Sequence, residues 1–162
     1  MARKRSIFSL ILVILATLLI SCSGPTVKTA PPTYTPLQLQ KLQEYAPDLE
    51  AVRDRSAELE SLISKRDWRR VSNFIHGPMA EARLTMNYVA RNLLPQDQKT
   101  ARNISRDVFN NLVKIDKAAE SGDSIKALNS YSTVFTDIDQ FLKLLPELPL
   151  QETPESSLSE VE

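Results

Sequence analysis

The feature that most constrains this chain is a run of about 110 residues in which apolar side chains recur every three or four positions and glycine is nearly absent. Between residues 36 and 146 the only glycines are Gly77 and Gly122, and nothing alternates apolar and polar residues as a half-buried strand would. The first stripe runs Leu42, Tyr45, Leu49, Val52, Leu59 and Ile63, interrupted by Ser56. The second runs Trp68, Val71, Ile75, Met79, Ala82, Met86, Val89 and Leu93. The third is Ala101, Ile104, Val108, Leu112, Ile115 and Ala119, and the fourth Ile125, Leu128, Tyr131, Phe135, Ile138, Leu142 and Leu145. Each stripe gives one apolar face to a helix of about 22 to 29 residues, roughly 33–44 Å long. The fold class is therefore all-α.

Local chemistry marks where these helices begin and end. Thr35-Pro36 supplies an N-cap and a first-turn proline, and Asp67 is placed to cap the second helix. Pro95 stops the second helix and opens the third, with Asp97 in its first turn facing the positive end of the dipole. Ser121-Gly122-Asp123 combines a helix-ending glycine with the next N-cap, and Pro146 ends the fourth helix. Connections of about two to four residues make successive helices antiparallel neighbours, an up-down-up-down four-helix bundle over residues 36–146. Two prolines disturb the pattern. Pro47 either kinks the first helix or marks its proper start, and Pro78 removes one backbone bond to Phe74 and predicts a kink rather than a break.

The segments flanking the bundle have a different character. Arg3, Lys4 and Arg5 precede an almost unbroken aliphatic stretch from Ile7 to Ile20. It is shorter than the roughly 20 apolar residues of a spanning helix, so residues 1–21 read as a signal peptide. Leu19-Ile20-Ser21-Cys22 resembles a bacterial lipobox, which makes Cys22 the lipidated first residue of the mature chain. The competing reading is an uncleaved short anchor with an incidental thiol. Cys22 is the only cysteine and sits where a lipobox needs it, which favours lipidation and excludes disulfide chemistry. Residues 22–35 hold Pro25, Pro31 and Pro32 among small polar residues and read as a flexible tether. Residues 147–162 carry five glutamates and no base, and read as a disordered acidic tail.

Within the bundle, Lys65 to Arg106 holds nine bases against Asp67, Glu81 and Asp97. On an exported protein such a patch points to acidic protein surfaces or lipid headgroups, and not to nucleic acid. The second helix focuses it. His76, the only histidine, falls about 140° from the apolar stripe, and Arg69, Asn73, Arg83, Asn87 and Arg91 share its arc, with Leu84 nearby. One reading is an ordinary solvated face. The other is a docking strip with four potential positive charges and no carboxylate among them.

Other chemistry is poorly supported. His76 has Met79 and Ala80 at its following helical-neighbour positions, so no metal-ligand pair forms locally, and no Glu-x-x-His repeat exists for a di-iron bundle. His76 remains the one weak metal candidate, with room for an adventitious Zn or Ca ion, and a lipid-anchored protein that buffers or senses a metal is the alternative function. Met79 and Met86 lie on the buried stripe as core fillers, and Trp68 is read as core. Asp54 and Glu58 sit beside Arg53 and Arg55 as salt-bridge material. No nucleophile elbow, glycine-rich phosphate loop or paired-carboxylate cleft is present. The expectation is a non-enzyme with no intrinsic cofactor and no small-molecule substrate.

The second helix also carries a recognisable text. Trp68-Arg69-Arg70-Val71-Ser72-Asn73-Phe74-Ile75-His76-Gly77-Pro78-Met79, with Glu81 and Arg83, resembles the PsbQ family of extrinsic photosystem II subunits. The likeness continues through Leu93-Leu94-Pro95-Gln96-Asp97-Gln98, Ile115-Asp116-Lys117-Ala118-Ala119, and Asp137 to Phe141-Leu142, covering roughly residues 37–146. The lipobox fits the cyanobacterial form of the family. The resemblance implies a four-helix bundle on the lumenal side of the thylakoid membrane, beside the manganese–calcium cluster without ligating it. It also implies a role in stabilising the complex and retaining calcium and chloride. The implied partners are the manganese-stabilising extrinsic subunit and the large chlorophyll-binding core antenna subunits.

Overall fold

Thr35 starts the folded chain with a reciprocal cap: its hydroxyl accepts the Gln38 amide at 3.3 Å, and its own amide donates to Gln38 Oε1 at 2.9 Å. The computed structural model describes residues 31–147. They form α1 (Pro36–Asp54), α2 (Ser56–Ser64), α3 (Trp68–His76), α4 (Pro78–Asn92), α5 (Pro95–Glu120) and α6 (Ser124–Leu142), with no strand among the described residues. These segments stack into four rods: α1 with α2, α3 with α4, α5, and α6. The beginning of the first rod, α1, packs on the end of the second, α4, while α2 packs on α3. The rods are therefore antiparallel. The third rod packs on the second and fourth, and the fourth also packs on the first, closing an up-down-up-down bundle.

The first two rods are each broken, one of them at an unexpected place. Pro47 is exposed inside a helix that continues to Asp54, so it is neither the start nor the break. The interruption falls at Arg55 (φ −86°, ψ 10°), whose carbonyl accepts both the Glu58 and Leu59 amides. Register explains it. Buried Leu49 and Leu59 are ten residues apart, so an unbroken helix would turn the second contact about 80° away from the first. The break brings Leu59, Leu62 and Ile63 back to the core. In the second rod the expected kink is a full break. Gly77 (φ −100°, ψ −99°) ends α3 and Pro78 begins α4. The Gly77 carbonyl takes the Ala80 and Glu81 amides at 3.0 and 3.2 Å.

The turns follow the local chemistry. Asp67 accepts the Arg70 amide and caps α3, after Arg66 takes a left-handed φ of 56°. Leu94 is extended before Pro95. Gly122 has φ 68°, which lets the Asp123 amide reach the Ala118 carbonyl at 2.8 Å. Asp123 then accepts the Lys126 amide at 3.0 Å, and its bonds to Lys126 hold its carboxyl below the ordinary carboxylate range.

Phe141, Leu42, Leu49, Leu59, Ile63, Met79, Met86, Leu93 and Ile115 are the largest of the fully buried side chains. The fourth stripe buries Phe135 and Ile138 and packs Leu128, Tyr131, Leu142 and Leu145 on the core, but Ile125 is 75% exposed and Ala127, Val134 and Phe141, outside the stripe as read, are buried too. α6 stops at Leu142, ahead of Pro146, although Leu144 and Leu145 still pack against the core. The domain also begins earlier than residue 36. Tyr34 packs on the core near Leu94, and its burial pushes the phenol up from its ordinary value. The signal peptide, Cys22, most of the tether and all of the tail beyond Glu147 lie outside the described residues.

Candidate docking surface

Arg69, Asn73 and His76 are exposed on α3, and Arg83 and Arg91 on α4, with Asn87 half-buried beside them. The break at Gly77 divides these six residues into two short runs that meet different neighbours. Asn73 lines a shallow groove with Arg55, Glu58 and Phe74 on the α2 side. His76 turns toward the third rod, where its Nε2 lies 3.3 Å from Asp116 Oδ2. The expectation of a strip without a carboxylate is thereby corrected. Asp116 comes from the neighbouring rod, forty positions away in sequence, and the helical wheel of the second rod alone cannot include it.

The two α4 arginines are organised by aromatic rings. The Arg83 guanidinium lies 4.1 Å from the centre of the Phe109 ring on α5. Arg91 lies 5.6 Å from the Tyr88 ring, which stacks on Tyr45 of α1 at 5.4 Å with 15° between planes. A cation over a ring face is attracted by the ring's quadrupole, and an exposed guanidinium held there keeps N–H donors available for a carboxylate. Neither arginine forms an ion pair among the described residues, nor does Arg69. Asn87 donates its side-chain amide to the Arg83 carbonyl at 2.9 Å, so it serves its own helix first.

Sequence reasoning missed Phe109, Val113 and Asp116. Phe109 and Val113 sit one residue past Val108 and Leu112, so they widen the α5 stripe toward α3 and α4 and stay 37% and 38% exposed. This off-stripe apolar pair at i,i+4 was the available signal. With Ile75, Met79 and Leu112 they form a cleft of about 220 Å³ whose rim holds His76, Asp116 and Arg83. His76 and Asp116 offer two potential metal ligands. No group of three or more His, Cys, Asp or Glu side chains suited to a metal occurs among the described residues. No described helix is long and apolar enough to cross a membrane.

Comparison with known proteins covers this whole domain. The family model for PsbQ, described as oxygen evolving enhancer protein 3, matches residues 2–146. CyanoQ from Synechocystis sp. is 38% identical over 148 residues, spanning 91% of this chain and 99% of that relative. A match of this extent, laid over a bundle with the same four-rod reading, shows that the chain belongs to the PsbQ family.

Proposed function

We propose that this chain is an extrinsic, non-catalytic subunit of photosystem II, held on the lumenal side of the thylakoid membrane by a lipid on Cys22. In this role it stabilises the oxygen-evolving complex and supports calcium and chloride retention during water oxidation. Family membership supports the assignment to photosystem II. The observation that carries the docking mechanism is the state of Arg83 and Arg91: each guanidinium is positioned by an aromatic ring and has no carboxylate of its own among the described residues. An acidic lumenal face, supplied by the core antenna subunits or the manganese-stabilising subunit, completes those charges. The lipid confines the domain to one surface and raises its local concentration for a partner that it binds weakly in solution.

Reversing Arg83 and Arg91 together to glutamate tests the mechanism, because both residues are exposed and neither supports the core. The expected result is reduced recovery of photosystem II with the tagged variant from detergent-solubilised membranes, at an unchanged melting temperature. Unchanged recovery discards the strip as the docking surface. Membranes lacking the chain should lose oxygen evolution faster in medium depleted of calcium and chloride, and regain it when the protein is added back.

A further inference from the structure

The cleft between α3, α4 and α5 combines features that the charged strip alone does not use. Its apolar side is formed by Phe109 and Val113 at the wall and Ile75 and Met79 below. Its volume of about 220 Å³ lies below the roughly 300–1,000 Å³ of sites for drug-sized molecules. It suits a single protruding side chain of the kind that anchors a protein interface. The charge at the rim is uneven. His76 faces Asp116, whereas Arg83 stands over Phe109 and forms no ion pair among the described residues.

We infer that this cleft is the anchoring pocket of the docking surface. Its occupant is an aliphatic or aromatic side chain on an acidic segment of the photosystem II partner, with a neighbouring carboxylate that pairs with Arg83. The inference rests on the photosystem reading given above and specifies the chemistry of the partner at that surface. A purely apolar occupant would cover Arg83 without completing its charge, at the cost of a desolvated cation. A purely acidic one would leave Phe109 and Val113 facing water. Only a segment carrying both groups satisfies wall and rim together. The stacked ring holds the guanidinium in place beforehand, so little side-chain freedom is lost on binding.

The test uses the full-length protein and photosystem II complexes stripped of this subunit. Val113→Trp fills the cleft from a position that is already partly exposed on α5. It should raise the half-saturating concentration at least tenfold while leaving the melting temperature near that of the parent. Ala80→Phe, which fills the same space from an exposed position on α4, should do likewise and serves if the tryptophan variant misfolds. If both fillers bind like the parent while Arg83→Glu is weakened, the cleft assignment is overturned and the docking strip stands. If Arg83→Glu also binds like the parent, both fall. A chain ending at Glu147 controls for the acidic tail: tighter binding by this form, with no further effect of Val113→Trp, would mean that residues 148–162 fill the cleft and would overturn the inference. Concentration-dependent dimers abolished by Val113→Trp would overturn it in favour of a second copy.

Discussion

Phe141→Ala separates what the interior does from what the surface does. Phe141 is 0% exposed and is among the largest side chains fully buried in the bundle. Truncating a buried phenylalanine to alanine removes its transfer free energy and leaves a cavity, together costing about 3–5 kcal/mol. A domain of this size loses roughly 3–6 °C of melting temperature per kcal/mol, so a drop of about 9–30 °C is expected by circular dichroism. That cost falls within the roughly 5–15 kcal/mol of total stability typical of folded domains, so the variant should remain largely folded in the cold. The cavity is also remote from the docking strip in connectivity. α6 packs on α5, α2 and α1, whereas the arginines of the strip lie on α3 and α4, in the diagonally opposite rod. At 10 °C, with binding normalised to the folded fraction, the variant should therefore dock on stripped photosystem II like the parent. Charge reversal at Arg83 and Arg91 should give the opposite pattern, normal melting and poor docking. A melting temperature within a few degrees of the parent would refute the packing argument. A cold, folded Phe141→Ala protein that binds as poorly as the charge-reversed one would refute the separation of surface from interior.

Two further changes probe the bundle itself. A Cβ at Gly77 would lie 2.9 Å from the Asn73 carbonyl oxygen, so Gly77→Ala must displace backbone and should cost about 1–3 kcal/mol; a denaturation midpoint equal to the parent's would count against the break as a steric requirement. Burial, with Asp107 adding repulsion, pushes the Asp137 carboxyl up from its ordinary value. The folded state therefore holds this proton more tightly than the unfolded chain. The resulting stabilisation is full below the unfolded pKa and is lost as pH rises through the raised folded one. Asp137→Asn should accordingly stabilise the protein at neutral pH, by less than about 1 kcal/mol because the group is largely solvent-screened. It should also flatten stability across the carboxylate range, and a lowered neutral-pH midpoint in urea would contradict this.

The features legible in sequence were those settled within a few residues. Thr35 with Gln38, Asp67 with Arg70, and Gly122 with Asp123 are caps and turns whose partners lie at most four or five positions away. Composition and spacing decided them before any tertiary contact formed. The break at Arg55 needed one more step, because it follows from the angular mismatch between Leu49 and Leu59 and not from a residue that breaks helices. Pro47 does not mark the helix start, since this exposed proline is carried inside α1. Ile125 was misread because the stripe alone does not fix which residues the packing covers, and contacts with the neighbouring rods bury Ala127, Val134 and Phe141 as well while leaving Ile125 exposed. The His76–Asp116 contact and the Arg83–Phe109 stack lay beyond reach for a different reason. Each joins two rods, and neither can be read until the order of the rods around the bundle is known.

That difference bears on which face is the functional one. Some of the bundle's cations are neutralised locally: Lys41 with Glu44, Arg55 with Glu58, Arg70 with Asp67 and Lys126 with Asp123 are all i,i+3 pairs, and Arg53 reaches Asp139 on another rod. Of the four cations that lie over aromatic rings among the described residues, Lys41 and Arg55 also have a carboxylate partner, whereas Arg83 and Arg91 do not. An exposed ion pair contributes little to stability, about 0–1 kcal/mol, so omitting two such pairs costs the fold almost nothing. It leaves two exposed positive charges, of which Arg83 stands at the rim of the apolar cleft. An incoming acidic partner is steered toward these exposed, unpaired charges. Because the steering charges are exposed, the association rate should fall as ionic strength rises and the Debye length shrinks below the width of the strip.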